Sequence, residues 1–200
     1  MTSPQPSLEL TKNSPDATLS LVLNQPVMCA DHLARCPWSV TNALLLEDHD
    51  VRWGQPPQST IGWFEALTLE IFQAGLAPGT ALGRHDSLAK ALCGFRPADI
   101  ALLNDDDIDD LMVERTMIRN RAKLVAVVGA ARLTETWSTN DWNTLVTDAA
   151  AHGDHAAREL ATQLRALGIT HIGENIARHI LARTGAINAH VPGCYRGDLP

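Results

Sequence analysis

Apolar side chains recur along this chain at intervals of three and four residues, the spacing that puts them on one face of an α-helix. The clearest case runs from about Ile61 to Ala74, where Phe64, Leu67, Ile71 and Ala74 share a face. Ser59 or Thr60 is a suitable N-cap for it, and Gly75 a suitable stop. Further along, Ile108, Leu111 and Met112 form the inner face of a second helix, and Leu124, Val127, Val128 and Ala131 that of a third, from about Asn120 to Leu133. Glu114 to Ile118 make the turn between these two. Trp142, Leu145 and Val146 mark another helix; Ala156 to Leu167, ended by Gly168, and Glu174 to Thr184, ended by Gly185, complete the series. Shorter helical pieces are expected over Thr41–Leu46, over Ser87–Cys93 and from Pro97, a residue tolerated in a first turn. No strand alternation and no solenoid-length repeat is evident. The pattern predicts an all-α fold, with helices packed around one core.

Composition narrows the picture. Residues 1 to 27 are rich in Ser, Thr, Pro and Asn and read as a flexible N-terminal extension, with Leu19–Leu23 its only apolar cluster. Residues 28–200 then form the folded domain. No apolar run is long enough to span a bilayer, and no basic segment followed by an apolar core opens the chain. Four cysteines in 200 residues do not make a disulfide scaffold. A cytoplasmic monomer without membrane contact is the expectation. The net charge of -7 argues against long-range attraction to nucleic acid, although a local basic face suffices for binding. The acidic run Asn104–Asp110 is not a calcium loop, because Asp110 stands where the loop glycine is needed. It reads better as the N-cap and first turn of a helix, where carboxylates complement the dipole.

Two thiols and two imidazoles stand out: Cys36 and His49 near one end, His190 and Cys194 near the other. Together they make a complete tetrahedral zinc set, and a shared ion would clip the C-terminus onto the start of the domain. Spacing alone does not establish the set. Cys29 and Cys93 read as spare thiols. His171 and His179 flank the Gly173 turn, more in keeping with surface or satisfied core groups than with a site.

The segments carrying these four residues resemble the 3-methyladenine DNA glycosylase I family. They read Arg35-Cys36-Pro37-Trp38, His49-Asp50-Val51-Arg52-Trp53-Gly54 and His190-Val191-Pro192-Gly193-Cys194. Between them, Leu69-Glu70-Ile71-Phe72-Gln73-Ala74-Gly75-Leu76 and Ile118-Arg119-Asn120-Arg121-Ala122-Lys123 resemble two further family stretches, in order. The resemblance implies a helix-hairpin-helix glycosylase fold with a structural zinc on Cys36, His49, His190 and Cys194. It also implies that Glu70 lies in a base pocket and hydrogen-bonds the edge of a methylated adenine. N3-alkylated adenine is cationic and leaves readily, so holding the flipped base can supply much of the catalysis.

The chain departs from the family at two aromatic positions. Asp48 replaces a Tyr before the first His, and Pro78 replaces a Trp after the Gln-Ala-Gly-Leu segment. Losing two rings forfeits stacking of roughly 1–3 kcal/mol per base. Asp48 beside Glu70 would make the pocket more acidic, favouring a cationic ligand or raising one carboxylate's pKa. Trp38 and Trp53 remain as substrate-binding candidates, though packing beside the metal suits them better. In the hairpin, Thr116 and Ala122 stand where glycines let backbone N–H groups close on a phosphate, so the turn must differ in shape or bind phosphate poorly. Arg115, Arg119, Arg121 and Lys123 form a basic cluster there that offsets this.

Three readings follow. The first is a DNA glycosylase acting on alkylated duplex DNA and removing an N3-alkylated adenine. The second is an enzyme on the same scaffold acting on a small nucleoside or cationic metabolite. The third is a non-catalytic binding protein. The ordered motifs and Glu70 favour the first; the acidic charge, the hairpin and the lost aromatics favour the others.

Overall fold

A computed structural model of the protein describes residues 25–197. The Leu19–Leu23 cluster and nearly all of the N-terminal extension lie outside the described residues. The chain enters through a two-residue antiparallel pairing, β1 (Val27–Met28) with β2 (Ala34–Arg35). The hydrophobic pattern did not signal it, since four residues are too few to show alternation. Everything else is helical: α1 (Ala43–Val51), α2 (Thr60–Gln73), α3 (His85–Ala91), α4 (Pro97–Ile100), α5 (Asp105–Val113), α6 (Arg121–Thr134), α7 (Thr139–Ala150), α8 (Ala156–Ala166) and α9 (Glu174–Arg183). The fold is all-α, and no helix among the described residues is long and apolar enough to cross a membrane.

Five of these helices begin at a capping residue. The side chains of Asn42, Ser59, Asn104, Asn120 and Ser138 each accept a backbone N–H in the first turn of the helix that follows. Asn104 with Asp107 and Ser138 with Asp141 close reciprocal capping boxes, so the acidic run does cap α5.

The core forms around α2. Trp63, Phe64, Leu67, Ile71 and Phe72 are fully buried there, and α6, α7 and α9 pack against that helix. Trp63 stacks parallel to Trp142 of α7, with centroids 6.1 Å apart. Because α2 is covered on several sides, even its polar Thr68 and Glu70 are buried. The far end of α9 returns to the start of the domain. Gly185 there adopts φ +73, and a Cβ on it would meet the Gly54 carbonyl oxygen at 2.5 Å. Only glycine allows that approach.

Candidate active site and metal centre

Cys36, His49, His190 and Cys194 converge from the two ends of the domain, with one ligand atom from each within 4.8 Å of every other. Cys36 Sγ lies 3.5 Å from His190 Nδ1, and Cys194 Sγ lies 3.3 Å from His49 Nε2 and 3.6 Å from His190 Nδ1. Sulfur and nitrogen ligands on one tetrahedral ion stand about 3.5 Å apart. Burial pushes the Cys36 thiol up to about 11, with Cys194 adding to the effect. A buried thiol of this kind becomes a good ligand only beside a cation. His190 is held below its ordinary pKa by burial, then by His49 and Arg196, which keeps its ring in the neutral ligating form. The residues therefore fit a tetrahedral metal ion.

Its outer support is also built. His49 Nδ1 pairs with Asp50 Oδ1 at 2.8 Å, orienting Nε2 toward the cluster. Arg35 grips both Asp50 and Asp31 through paired hydrogen bonds of 2.7–3.0 Å. Burial works against the Asp50 carboxylate, yet Arg35 and His49 overcome it and hold its pKa down at about 2.

Next to this cluster opens a cavity of about 1020 Å³. Asp48, one residue before a cluster histidine, and Glu70, from the middle of α2, both line it. Their exposures are 1% and 4%. Trp38 and Trp53 line it too, edge to face with centroids 5.0 Å apart. Trp38 also packs edge-on against His49 at 5.4 Å, so its ring borders both the Cys/His cluster and the cavity wall. Pro78 sits on the rim, in a loop held by Gln73: its Nε2 donates to the Leu76 and Ala77 carbonyls, and its Oε1 accepts from Ala81 N. Apolar Leu45, Leu69, Leu82 and Ile176 complete much of the surface.

Arg183, at the end of α9, alters the expected electrostatics. Its Nε donates to Glu70 Oε1 at 2.5 Å, and its Nη1 donates to Asp48 Oδ1 at 3.2 Å. The like-charge repulsion expected between Asp48 and Glu70 is thus replaced by two ion pairs to one guanidinium. Arg52 adds a further contact to Asp48 at 3.1 Å. Burial disfavours the Arg183 cation, but Glu70 and Asp48 outweigh it and raise its pKa. Sequence reasoning missed Arg183. Ile176, His179 and Arg183 do share a helical face, but nothing local indicates that this face meets Glu70. His179 lies at the mouth, with Nδ1 3.6 Å from Glu70 Oε2, while His171 is exposed.

The basic cluster of the hairpin divides. Lys123 is a correction: it is 6% exposed, and its Nζ donates to the Phe72 and Ala74 carbonyls at 2.9 and 2.5 Å. It closes the C-terminal end of α2 instead of facing solvent, because its long stem crosses the core to reach orphan carbonyls. Arg121 is exposed but pairs with Asp105 and Asp109 of α5. Arg115 and Arg119 are exposed, with no ion pair among the described residues. The Thr116 amide and hydroxyl both donate to Glu114 Oε1, so a carboxylate occupies the turn. Thr116 does not adopt positive φ.

The family model described as methyladenine glycosylase matches residues 38–197. The chain belongs to the methyladenine glycosylase family. It is similar to DNA-3-methyladenine glycosylase 1 of Escherichia coli strain K12, at 28% identity over 84% of this chain and 100% of that protein. It is similar to DNA-3-methyladenine glycosylase of Haemophilus influenzae, at 29% identity over 80% of this chain and 96% of that one. A solved variant of 3-methyladenine DNA glycosylase I in complex with 3-methyladenine superposes with a TM-score of 0.73 at 25% identity, covering 82% of this chain and 98% of that one. The family match spans the whole cavity and three of the four cluster residues, with Cys36 just outside it.

Proposed function

We propose that this protein is a base-excision DNA glycosylase that hydrolyses the N-glycosidic bond of N3-alkylated adenine in duplex DNA. The observation that carries this reading is Glu70, a buried carboxylate on the wall of a mostly apolar cavity in a methyladenine glycosylase fold. A flipped purine buries its faces against apolar side chains and presents its exocyclic amine to the carboxylate. Alkylation at N3 gives the base a positive charge, so it departs neutral when the C1′–N9 bond breaks. Water then bonds to C1′ and gives up a proton. Glu70 holds the base in the geometry from which it leaves.

Zinc is the ion we assign to Cys36, His49, His190 and Cys194, since two thiolates and two imidazoles in tetrahedral array are its usual structural set. When bound it supplies folding free energy by joining the two ends of the domain. Asp48, Trp38, Trp53 and Pro78 shape the substrate cavity. Arg115 and Arg119 are the residues we assign to phosphate contact, with Arg121 available if it leaves Asp105 and Asp109. Release of free base from N-methylated duplex DNA tests the assignment.

Two observations favour a second reading. The Glu114 carboxylate in the hairpin turn and the buried Lys123 leave little basic surface for a DNA backbone. A small nucleoside or cationic metabolite needs no such surface. Duplex binding whose affinity falls steeply with salt supports the first reading; turnover of a nucleoside without duplex binding supports the second.

A further inference from the structure

Glu70 does not face the cavity alone. Its Oε1 is taken by Arg183 Nε at 2.5 Å, and Arg183 Nη1 lies 3.2 Å from each oxygen of Asp48. The guanidinium lies over the Trp53 ring, with Cζ 5.0 Å from its centroid. The Arg183 carbonyl accepts from Gly54 N at 3.0 Å, which fixes the end of α9 against the segment bearing Trp53. The guanidinium is therefore held by its backbone, by two carboxylates and by a ring. Among the described residues, neither Glu70 Oε2 nor Arg183 Nη2 makes a hydrogen bond; His179 Nδ1 stands 3.6 Å from Oε2, beyond bonding distance. Oε2 can only accept and Nη2 can only donate. One shares a carboxylate with Oε1 and the other a guanidinium with Nε, so an unused acceptor and an unused donor belong to the two partners of one Nε–H···Oε1 contact.

We propose that Arg183 is a specificity-determining residue that, with Glu70, reads the edge of a planar base bearing an amine beside an unprotonated ring nitrogen. This rests on the cavity being a base pocket and names how it chooses. The amine donates to Oε2, and the ring nitrogen accepts from Nη2. Adenine and its N3-alkyl derivatives carry that edge. Hypoxanthine presents a carbonyl in place of the amine, so two acceptors would meet at Oε2. A site built to hydrogen-bond one group rejects the analogue lacking it, because its own buried polar atoms are left unpaired.

The same arrangement reduces the value of the ligand's charge. Glu70 and Asp48 carry two negative charges and Arg183 one positive, leaving one, which Arg52 on Asp48 further offsets. A lone carboxylate rewards a cationic base; this trio rewards the matching edge.

The test is equilibrium binding of 3-methyladenine, adenine and hypoxanthine to the full-length protein, followed by tryptophan fluorescence or ligand-observed NMR. Wild type should bind adenine within about tenfold of 3-methyladenine and hypoxanthine at least roughly tenfold more weakly than adenine. Arg183→Met should abolish the preference for adenine over hypoxanthine, and Arg183→Gln, which retains an N–H donor, should restore part of it. Thermal melting checks that each variant is folded. If Arg183→Met does not fold, the wild-type ratio and Arg183→Gln decide. Equal binding of adenine and hypoxanthine by wild type, an unchanged ratio in Arg183→Met, or no binding of any base by folded wild type overturns the proposal. The outcome is separable from glycosylase activity. A protein that reads the adenine edge through Arg183 but releases no base from DNA keeps this inference and loses the proposed reaction. Release of 3-methyladenine with an unchanged ratio in Arg183→Met does the reverse.

Discussion

Gly185 lies so close to Gly54 that a single added Cβ would stand 2.5 Å from the Gly54 carbonyl oxygen. Gly54 is itself constrained: it adopts φ +78, and a Cβ there would meet His190 Nε2 at 2.8 Å. The two glycines are where the end of α9, the wall carrying Trp53 and the Cys/His cluster press together. Gly185→Ala must separate these backbones and also strain a residue at positive φ, which costs roughly 1–3 kcal/mol. For a domain of this size that lowers the melting temperature by roughly 2–12 °C. The substitution should also loosen Arg183, so substrate binding is expected to weaken beyond what the stability loss explains. Unchanged melting would show that the contact is softer than described.

The metal cluster should behave as a clip between chain ends. Cys194→Ser is expected to lower metal content and thermal stability together, and a strong chelator should reproduce the stability loss in wild type. Elemental analysis of the purified protein checks occupancy. Full occupancy in Cys194→Ser would remove that thiol from the ligand set.

Asp50 orients His49 from behind, and Asp50→Asn should cut metal affinity by roughly 10–100-fold while all four ligands stay in place. The carboxylate also links stability to pH. Its folded pKa of about 2 lies below the ordinary value, so its contribution is present above the unfolded pKa of about 3.9 and is lost as pH falls through about 2. Acid unfolding of the metal-free protein should be less steep between those values in Asp50→Asn than in wild type.

Lys123 is expected to matter for folding and not for DNA. Lys123→Met removes two charge-assisted bonds to the Phe72 and Ala74 carbonyls, at a cost of roughly 1.5–3 kcal/mol for each bond lost. It should leave the salt dependence of duplex binding unchanged. Arg119→Ala should instead reduce that slope by about one unit. Titrations at several salt concentrations separate the two outcomes.

These contrasts show what the sequence made legible. Helices were readable wherever apolar spacing and a capping residue agreed, as at Ser59 with Phe64, Leu67 and Ile71. The gathering of Cys36, His49, His190 and Cys194 and the place of Glu70 on the cavity wall were readable because short motifs carry them. Lys123 was misplaced because a lysine in a basic run looks solvated, and only the packing of α6 on α2 reveals the carbonyls it reaches. Arg183 was overlooked for a related reason: its role depends on two carboxylates 113 and 135 residues away in the chain. Asp48 looked like a source of repulsion until its guanidinium partner was in view.

The role proposed for Glu70 is in removing an alkylated base. The most direct measurement is mass-spectrometric detection of free base released from N-methylated duplex DNA by the wild-type protein and by Glu70→Gln, each checked for folding and metal content. Wild type is expected to release 3-methyladenine, and Glu70→Gln to lose at least roughly tenfold of that activity, consistent with losing one charged hydrogen-bond partner in a buried site. No release by folded, metal-loaded wild type, or equal release by the variant, would contradict it.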